Sequence, residues 1–401
     1  MNWLRYLTGP LFAMLVAGSA AAQTPAVRPE VGKPIQAASD LIKAKRGREA
    51  LAKVREAQAV ANKTEYETYL VNRVLGLAAI AAGDPATAAR AFESVVASSA
   101  APEAERRQFL AAAAGQYYAA KDYGKAADLS ARYLKDGSDR AVRTLHVQSL
   151  YLGGNYAAAA KALSADIDAD ENAGRTPPED QLQLLWNAYQ QQKDAAGSAR
   201  ALERLLAHYP KPDYWLSALQ SVAALPGFAD RLAIDLARLK IATGTMRTTA
   251  EYFDAVQLAL HDGFPLEAQS IMEKGYKAGL LGSGPEADRH KRLRALVDKD
   301  LAEDKKKVAQ DEPRKDGKTM LNDGFNYVLH GKAAKGIELM EQGLKAGSGF
   351  KRPDHAKLQL AYGYHIAGQN QKAIAVYRTV QGSDGAAAIA RLWIGYLRRA
   401  S

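Results

Sequence analysis

The chain has 401 residues, which is too long for one ordinary hydrophobic core and predicts several domains or a repeat array. Its 54 basic and 44 acidic side chains leave a formal charge of +10 spread along the chain, without the basic cluster on one element that nucleic-acid binding favours. The absence of cysteine excludes disulfides, thiolate metal sites and cysteine nucleophiles. Abundant alanine and an aromatic content of 8 % favour helices over strands.

The first 22 residues have the features of a secretory signal peptide. Arg5 precedes the apolar stretch LFAMLVAG, and Ala20 and Ala22 are the small residues that a signal peptidase reads. We expect cleavage after Ala22, a periplasmic location with release from the cell as the alternative, and a flexible linker over residues 23–34. An uncleaved anchor is less favoured because a membrane-spanning helix needs about 20 apolar residues. No stable membrane span is expected after cleavage, although association with the inner or outer membrane is compatible with this location.

A pattern of helix, short turn and helix recurs over residues 35–282 and again over residues 317–401. In LYLGGNYAAAAKAL, residues 150–163, Gly154 is predicted to form the turn and Ala159 to lie in the first turn of the second helix. A small residue at this point lets two helices pack closely, and stacking is required because no single pair buries its apolar face alone. The equivalent small residues of the other copies are Ala50, Ala88, Ala126, Ser198, Ala268, Gly336 and Ala373.

These copies resemble the tetratricopeptide repeat family. The copy that begins at Glu179 matches the family pattern at Leu185, Ala188, Tyr189, Asp194, Ser198, Leu202, Leu205 and Pro210. The resemblance implies an all-α fold, a right-handed superhelical solenoid of antiparallel helix pairs. The spacing of the copies drifts between about 33 and 39 residues around the family's ~34. Residues 213–244 match poorly and are read only as a helix pair.

The resemblance also implies a partner-binding groove lined by the first helix of each pair. Carried onto this sequence, the groove positions are Arg73, Tyr118, Gln148, Tyr151, Asn187 and Gln190. Tyrosines and amides on a rigid helical face suit the recognition of an extended peptide through hydrogen bonds and ring packing. The alternative is that Tyr118 and Tyr151 fill gaps between neighbouring helix pairs.

Residues 283–316 are predicted to be a charged helical spacer before the C-terminal repeats. Leu293, Leu296, Val297 and Leu301 recur at helical spacing in this segment, which indicates one long helix with a narrow apolar stripe. A partner-binding or hinge element is the alternative interpretation. The final stretch AAIARLWIGYLRRAS is predicted to be a capping helix with Trp393 buried on the last repeat.

Motifs of catalysis and cofactor binding are not found in the sequence. No two of the seven histidines have the spacing that places two ligands on a helix face, and no HExxH, phosphate-binding loop or nucleophile elbow occurs. We therefore expect neither enzymatic activity nor a cofactor or metal. The prediction is a non-catalytic periplasmic scaffold that binds a protein partner in the cell envelope. The alternative is an envelope polysaccharide or cell-wall protein, an enzyme or enzyme accessory, whose helices support an undetected site.

A narrower resemblance covers about a quarter of the chain. The segment PPEDQLQLLWNAYQQQKDAAGSARALERLLAHYPKPDYW, residues 177–215, is similar to the tetratricopeptide repeat proteins that accompany TonB-type energy-transduction systems of Gram-negative bacteria. The later segment TAEYFDAVQLAL extends the similarity. It implies a partner in an inner-membrane or periplasmic transport complex.

Overall fold

A computed structural model describes residues 26–137, 139–310 and 316–399, and within these ranges the regular structure is helical, without a strand. The all-α prediction is confirmed. The helices of the first half are α1 (Pro29–Lys43), α2 (Gly47–Ala59), α3 (Glu65–Ala82), α4 (Pro85–Ala97), α5 (Glu103–Ala119), α6 (Tyr123–Lys135), α7 (Arg140–Leu152), α8 (Tyr156–Asn172), α9 (Glu179–Gln191) and α10 (Ala195–His208). Those of the second half are α11 (Pro212–Ala223), α12 (Ala233–Ala242), α13 (Thr249–His261), α14 (Pro265–Lys277), α15 (Ala287–Gln310), α16 (Gly317–Leu329), α17 (Ala333–Ala346), α18 (Pro353–Ile366), α19 (Asn370–Tyr377) and α20 (Ala386–Leu397).

The turns that join α3 to α4, α5 to α6 and α7 to α8 are each built from two residues with separate tasks. The first has a left-handed backbone, with φ of 76° at Gly83 and 80° at Gly154, and Gly154 is thereby the turn residue that the sequence predicts. The second is an Asp or Asn whose side chain caps the next helix: Asn155 accepts a hydrogen bond from the backbone N–H of Ala158, and Asp122 accepts one from Lys125. Such a cap satisfies a backbone N–H that the helix itself cannot pair, and so fixes where the second helix begins.

The small residues predicted at the helix–helix contacts are buried. Ala50, Ala88, Ala126, Ala159, Ala268 and Ala373 are all fully inaccessible to solvent. At Gly336 even a Cβ would come within 2.5 Å of the carbonyl oxygen of Gly324. Ser198 is the exception, since it is half-buried and its hydroxyl accepts a hydrogen bond of 3.0 Å from the indole N–H of Trp186.

The chain divides into two compact units. Unit 1 comprises the residues up to Arg175 together with Asn187–Asp194, and unit 2 comprises Thr176–Trp186 and the residues from Ala195 onward. In unit 1 each helix from α1 to α7 packs on the next, and α1 packs on α3 and α5 on α7 as well. This is the packing of stacked antiparallel helix pairs, as the sequence predicts. The right-handed sense of the superhelix stays a prediction.

One expectation about the N-terminal part of the chain changes. The linker expected over residues 23–34 gives way to helix at Pro29, because Pro is favoured in the first turn of a helix and Val31 is fully buried. Arg28 also pairs with the buried Glu67 of α3 at 2.8 Å. The division into units falls after Arg175, and the spacer at residues 283–316 stays a prediction. The signal peptide expected over residues 1–22 lies outside the described residues.

Within unit 2, residues 287–310 of the charged segment form a packed helix, α15. Leu293, Val297 and Leu301 of α15 are buried at intervals of four residues, and α15 packs on α13, α14 and α16. Leu296, which the sequence assigned to the same stripe, is 47 % exposed. α20 packs on α18 and α19 as the predicted cap, with Trp393 buried, and it also packs on α10 and α12.

Candidate functional site

The six predicted groove residues lie on one face of the first helices of unit 1. Each position is counted back from the Asp or Asn that precedes the second helix of the same pair. Tyr118, Tyr151 and Gln190 lie four residues before that Asp or Asn, Gln148 and Asn187 lie seven residues before it, and Arg73 lies eleven residues before it. Steps of three and four residues keep side chains on one side of an α-helix. We call the set of such positions the first-helix face: Arg73, Leu77, Ile80, Ala111, Gly115, Tyr118, Thr144, Gln148, Tyr151, Asn187 and Gln190.

This face is open to solvent at nearly every position. Gln190 is exposed, and the other side chains of the face are half-buried. At Gly115, in the middle of α5, an added Cβ would have no neighbour within 4 Å. A methyl group would therefore fit at residue 115, although Gly115 itself is buried.

The tyrosines of the face also contact their own turns. The ring of Tyr118 packs edge-on against Tyr123 with centroids 5.5 Å apart, and Tyr151 packs in the same way against Tyr156 at 5.3 Å. Such edge-to-face pairs are favourable beyond the area that they bury. Burial raises the pKa of the Tyr118 hydroxyl. One edge of each ring thus braces the turn of its own helix pair, which is a different contact from the gap between neighbouring pairs that the alternative names, and both residues keep part of their surface exposed.

Arg73 has a structural contact of its own. Its guanidinium lies 3.6 Å from the carboxylate of Glu105 on α5, and the hydroxyl of Tyr69 donates a hydrogen bond to the same carboxylate. Burial raises the pKa of Tyr69, with the Glu105 contact adding to the effect. Arg73 therefore links α3 to α5 and brings no unbalanced charge to the first-helix face.

The amides of Gln148, Asn187 and Gln190 differ from these residues. None of their side chains has a hydrogen-bond partner within the part of the chain that the structure describes, in contrast to the nearby amide of Gln192, which donates to the carbonyl of Tyr156 at 3.2 Å. An amide side chain offers two N–H donors and a carbonyl acceptor. These three groups are available to a ligand.

A polar cavity that the sequence did not indicate lies within unit 2. It has a volume of about 560 Å³ and is bordered by residues of α12, α13, α16 and α18 and of the loop that precedes α18. Its floor is Arg238, which is buried and donates two hydrogen bonds to Glu267, at 2.8 and 2.7 Å, and one to Asp235 at 3.0 Å. The guanidinium also lies 4.7 Å from the ring centre of Tyr362 and 5.0 Å from that of Phe325.

At the floor of the cavity, the buried cation Arg238 is neutralised by the carboxylates that pair with it. Burial acts to lower the pKa of Arg238, but the Glu267 carboxylate outweighs it and raises the pKa above its ordinary value. Nε2 of His355 lies 3.2 Å from the second oxygen of Asp235, in an orientation that leaves this buried oxygen without a hydrogen bond. Burial raises the pKa of Asp262, against the opposing effects of Arg238 and His355.

One signal for this cluster exists in the sequence. Asp235 and Arg238 stand three residues apart inside the largely apolar α12, AIDLARLKIA, where both charges would be costly to bury unless paired. Neither this cluster nor any other part of the described chain gathers three His, Asp or Glu side chains able to hold a metal ion. None of the described helices is long and apolar enough to cross a membrane.

Comparisons with known proteins give no family assignment. No protein-family model and no curated protein matches the chain. The tetratricopeptide repeat domain of yeast Sti1 in its pHSP90 complex is 12 % identical, with 73 % of this chain and 99 % of that chain covered and a TM-score of 0.25. Yeast Tom70 is 9 % identical, with coverages of 92 % and 96 % and a TM-score of 0.25. The tetratricopeptide repeat domain of P58(IPK) is 13 % identical, with coverages of 92 % and 97 % and a TM-score of 0.22.

At these identities and TM-scores the likenesses carry no argument. The fold assignment rests on the helix pairs, the capped turns and the buried small residues described above.

Proposed function

We propose that this chain is a non-catalytic helical scaffold that binds a protein partner of the cell envelope through the first-helix face of unit 1. The observation that supports this most directly is the group of three amides, Gln148, Asn187 and Gln190, whose side chains have no hydrogen-bond partner among the described residues. The half-exposed rings of Tyr118 and Tyr151 lie on the same face. Rigid aromatic surface combined with amide groups is well suited to protein recognition.

The chemistry of the face favours an extended, weakly charged peptide segment. Arg73 is the charged residue of the face, and Glu105 balances it. An extended backbone presents N–H and C=O groups in alternation, and amide side chains can pair with both. Tyrosine rings supply apolar contact at a low cost in side-chain entropy.

The location and the kind of partner are parts of the same proposal. The signal-peptide features of residues 1–22 support export to the periplasm. The resemblance of residues 177–215 to repeat proteins of TonB-type systems supports a partner in a transport complex of the envelope.

The test is a binding measurement with matched variants. The mature chain, immobilised, is used to capture proteins from a detergent-solubilised envelope fraction, and the captured protein is then purified and titrated. We expect the triple variant Gln148→Ala, Asn187→Ala, Gln190→Ala to bind at least about tenfold more weakly than the parent, since each lost amide removes hydrogen bonds to the ligand. The control is Gln58→Ala, which truncates an exposed glutamine on the second helix α2.

Two results would overturn the proposal. One is that no envelope protein is retained while envelope glycan is, which favours the alternative of a polysaccharide-associated protein. The other is equal binding by the triple variant and the control. The identity of the captured protein decides separately whether the partner belongs to a TonB-type system.

A further inference from the structure

We propose that the cavity of unit 2 binds a small organic polyanion, a molecule that carries two or more carboxylate or phosphate groups. This inference does not depend on the function proposed for unit 1. It rests on the charges that border the cavity, on which of them already have partners, and on the size of the space.

The cavity is bordered by an excess of basic side chains. They are Arg231, Arg238, Lys318, Lys351 and Arg352. Two of the five are neutralised inside the protein, because Arg238 is paired with Glu267 and Asp235, and Arg231 is paired with Asp384. The excess of positive charge therefore comes from the remaining three.

Lys318, Lys351 and Arg352 are exposed, and none forms an ion pair with a described residue. They come from two parts of the chain, the start of α16 and the loop before α18, so that folding alone brings them to one opening. Like charges gathered at one cleft repel one another and attract a counter-ion. A multiply charged anion relieves that repulsion, whereas a neutral ligand does not.

Arg231 adds a hydrogen-bond donor to this border. Its terminal nitrogen pairs with Asp384, but its Nε atom is buried and has no hydrogen-bond partner among the described residues. A buried donor without a partner is costly. Because this atom is out of reach of a water-sized molecule, a ligand oxygen could pair with it only if the Arg231 side chain turned on binding.

Only one carboxylate, Asp262, belongs to the border that the structure describes. The Arg238 cluster holds two carboxylates for one cation, so the three cations without described partners stand against two carboxylates, Asp262 and one of the cluster, and leave about one positive charge. Three separate cations at one opening can each contact an anionic group, which favours a ligand with two or more such groups over a single carboxylate.

The size and the remaining wall fit a small molecule. The volume of about 560 Å³ lies within the range of roughly 300–1,000 Å³ that is usual for small-molecule sites. Gln359 donates a hydrogen bond of 3.1 Å to Asn322, and both line the cavity beside Phe264 and Phe350. The wall thus combines polar amides with apolar rings, which suits an organic ligand better than a bare inorganic ion.

The test uses calorimetric titration of the mature chain with citrate and, separately, with pyrophosphate, at matched ionic strength. The double variant Lys351→Gln, Arg352→Gln removes two exposed cations that support no structure, and we expect its affinity to fall at least about tenfold. The matched control is Lys345→Gln, an exposed lysine of α17 outside the cavity border, whose affinity should equal that of the parent. Comparison of citrate with pyrophosphate shows whether carboxylate or phosphate is the preferred group.

A second variant tests the sign of the effect. Asp262→Asn removes the one carboxylate of the border, so that polyanion binding should become several-fold tighter. The proposal is overturned if neither probe binds with a Kd below about 1 mM, which is already a weak interaction. It is also overturned if Lys345→Gln weakens binding as much as the double variant, or if a tetraglutamate peptide binds while citrate and pyrophosphate do not.

Discussion

The backbone of Gly76 in α3 faces the ring of Phe92 in α4 so closely that a Cβ on residue 76 would lie 2.2 Å from Cε1 of the ring. The glycine of α5, Gly115, is in the opposite situation, with open space where its Cβ would be. Two glycines inside neighbouring first helices therefore have different physical reasons to be there.

The first prediction follows from this contrast. Gly76→Ala should lower the free energy of unfolding by about 1–3 kcal/mol, because the core must shift to admit the methyl group. Gly115→Ala should raise it by about 0.5–1 kcal/mol, since alanine is the better helix former and meets no obstacle. Urea midpoints of the two variants, measured against the parent, check both signs. Equal midpoints for the two variants would show that the ring of Phe92 moves away at no cost.

The second prediction concerns the alanine run of α8. Ala159 is fully buried and Ala157 is exposed, two residues earlier in the same helix. Ala159→Leu should destabilise unit 1 by about 1–3 kcal/mol through overpacking, while Ala157→Lys should stay within about 0.5 kcal/mol of the parent. Thermal unfolding followed by circular dichroism measures both, and a larger loss for Ala157→Lys would contradict the helix-pair contact described here.

The third prediction concerns the charge cluster of unit 2. Arg238→Met leaves the buried carboxylates of Glu267 and Asp235 without their cation, and removal of one partner of a buried pair costs about 3–5 kcal/mol. Adding Glu267→Leu to Arg238→Met should restore part of that stability, because one of the two unpaired charges is then gone. The two variants are compared by urea unfolding. If the double variant is less stable than Arg238→Met alone, the cost arises from packing and not from charge.

The fourth prediction concerns pH. A hydrogen bond from Arg28 lowers the pKa of Glu67 to about 2, and backbone N–H groups of Arg28 and Thr64 add to the effect. Because the folded-state pKa lies below that of an unfolded glutamate, ~4.3, this group stabilises the fold fully above pH 4.3 and ceases to do so as the pH falls toward 2. Glu67→Gln should therefore be less stable than the parent at pH 7, with the gap closing between pH 4.3 and pH 2.

The measurement for this prediction is the urea midpoint of parent and variant at several pH values. Glu49→Gln is the control. Glu49 is exposed and pairs with Arg46 within one turn of α2, so this ion pair does not connect two helices. A gap that persists unchanged at pH 2 would mean that the variant loses packing and not the ionised contact.

Local features could be predicted from the sequence because their causes are local. Gly154 and Ala159 follow from the geometry of one turn and one helix contact, and both are where the sequence places them. The start of α1 at Pro29 falls inside the linker expected over residues 23–34, although proline is compatible with a first helical turn. The burial of Val31 shows that this segment is part of the fold, and that burial depends on tertiary packing, which the local sequence does not reveal.

The cavity of unit 2 could not be predicted in the same way. Arg238 meets Glu267 29 residues later, and it meets Phe325 and Tyr362 much further along the chain. Only the charge pair inside α12 is visible without that folding. The first-helix face is an intermediate case: its positions follow from the repeat, whereas the contact of Arg73 with Glu105 does not.

The return of α20 onto α10 sets the two units apart in how they can assemble. In unit 2 Arg391 pairs with Glu203 at 2.7 Å, and Arg399 donates to the carbonyl of Leu206, across 188 and 193 residues of chain. Contacts between neighbours let the folding of unit 1 start at one helix pair and spread to the next. The core of unit 2 is complete only when α20 has packed back on α10, and these distant contacts make it the slower unit to fold.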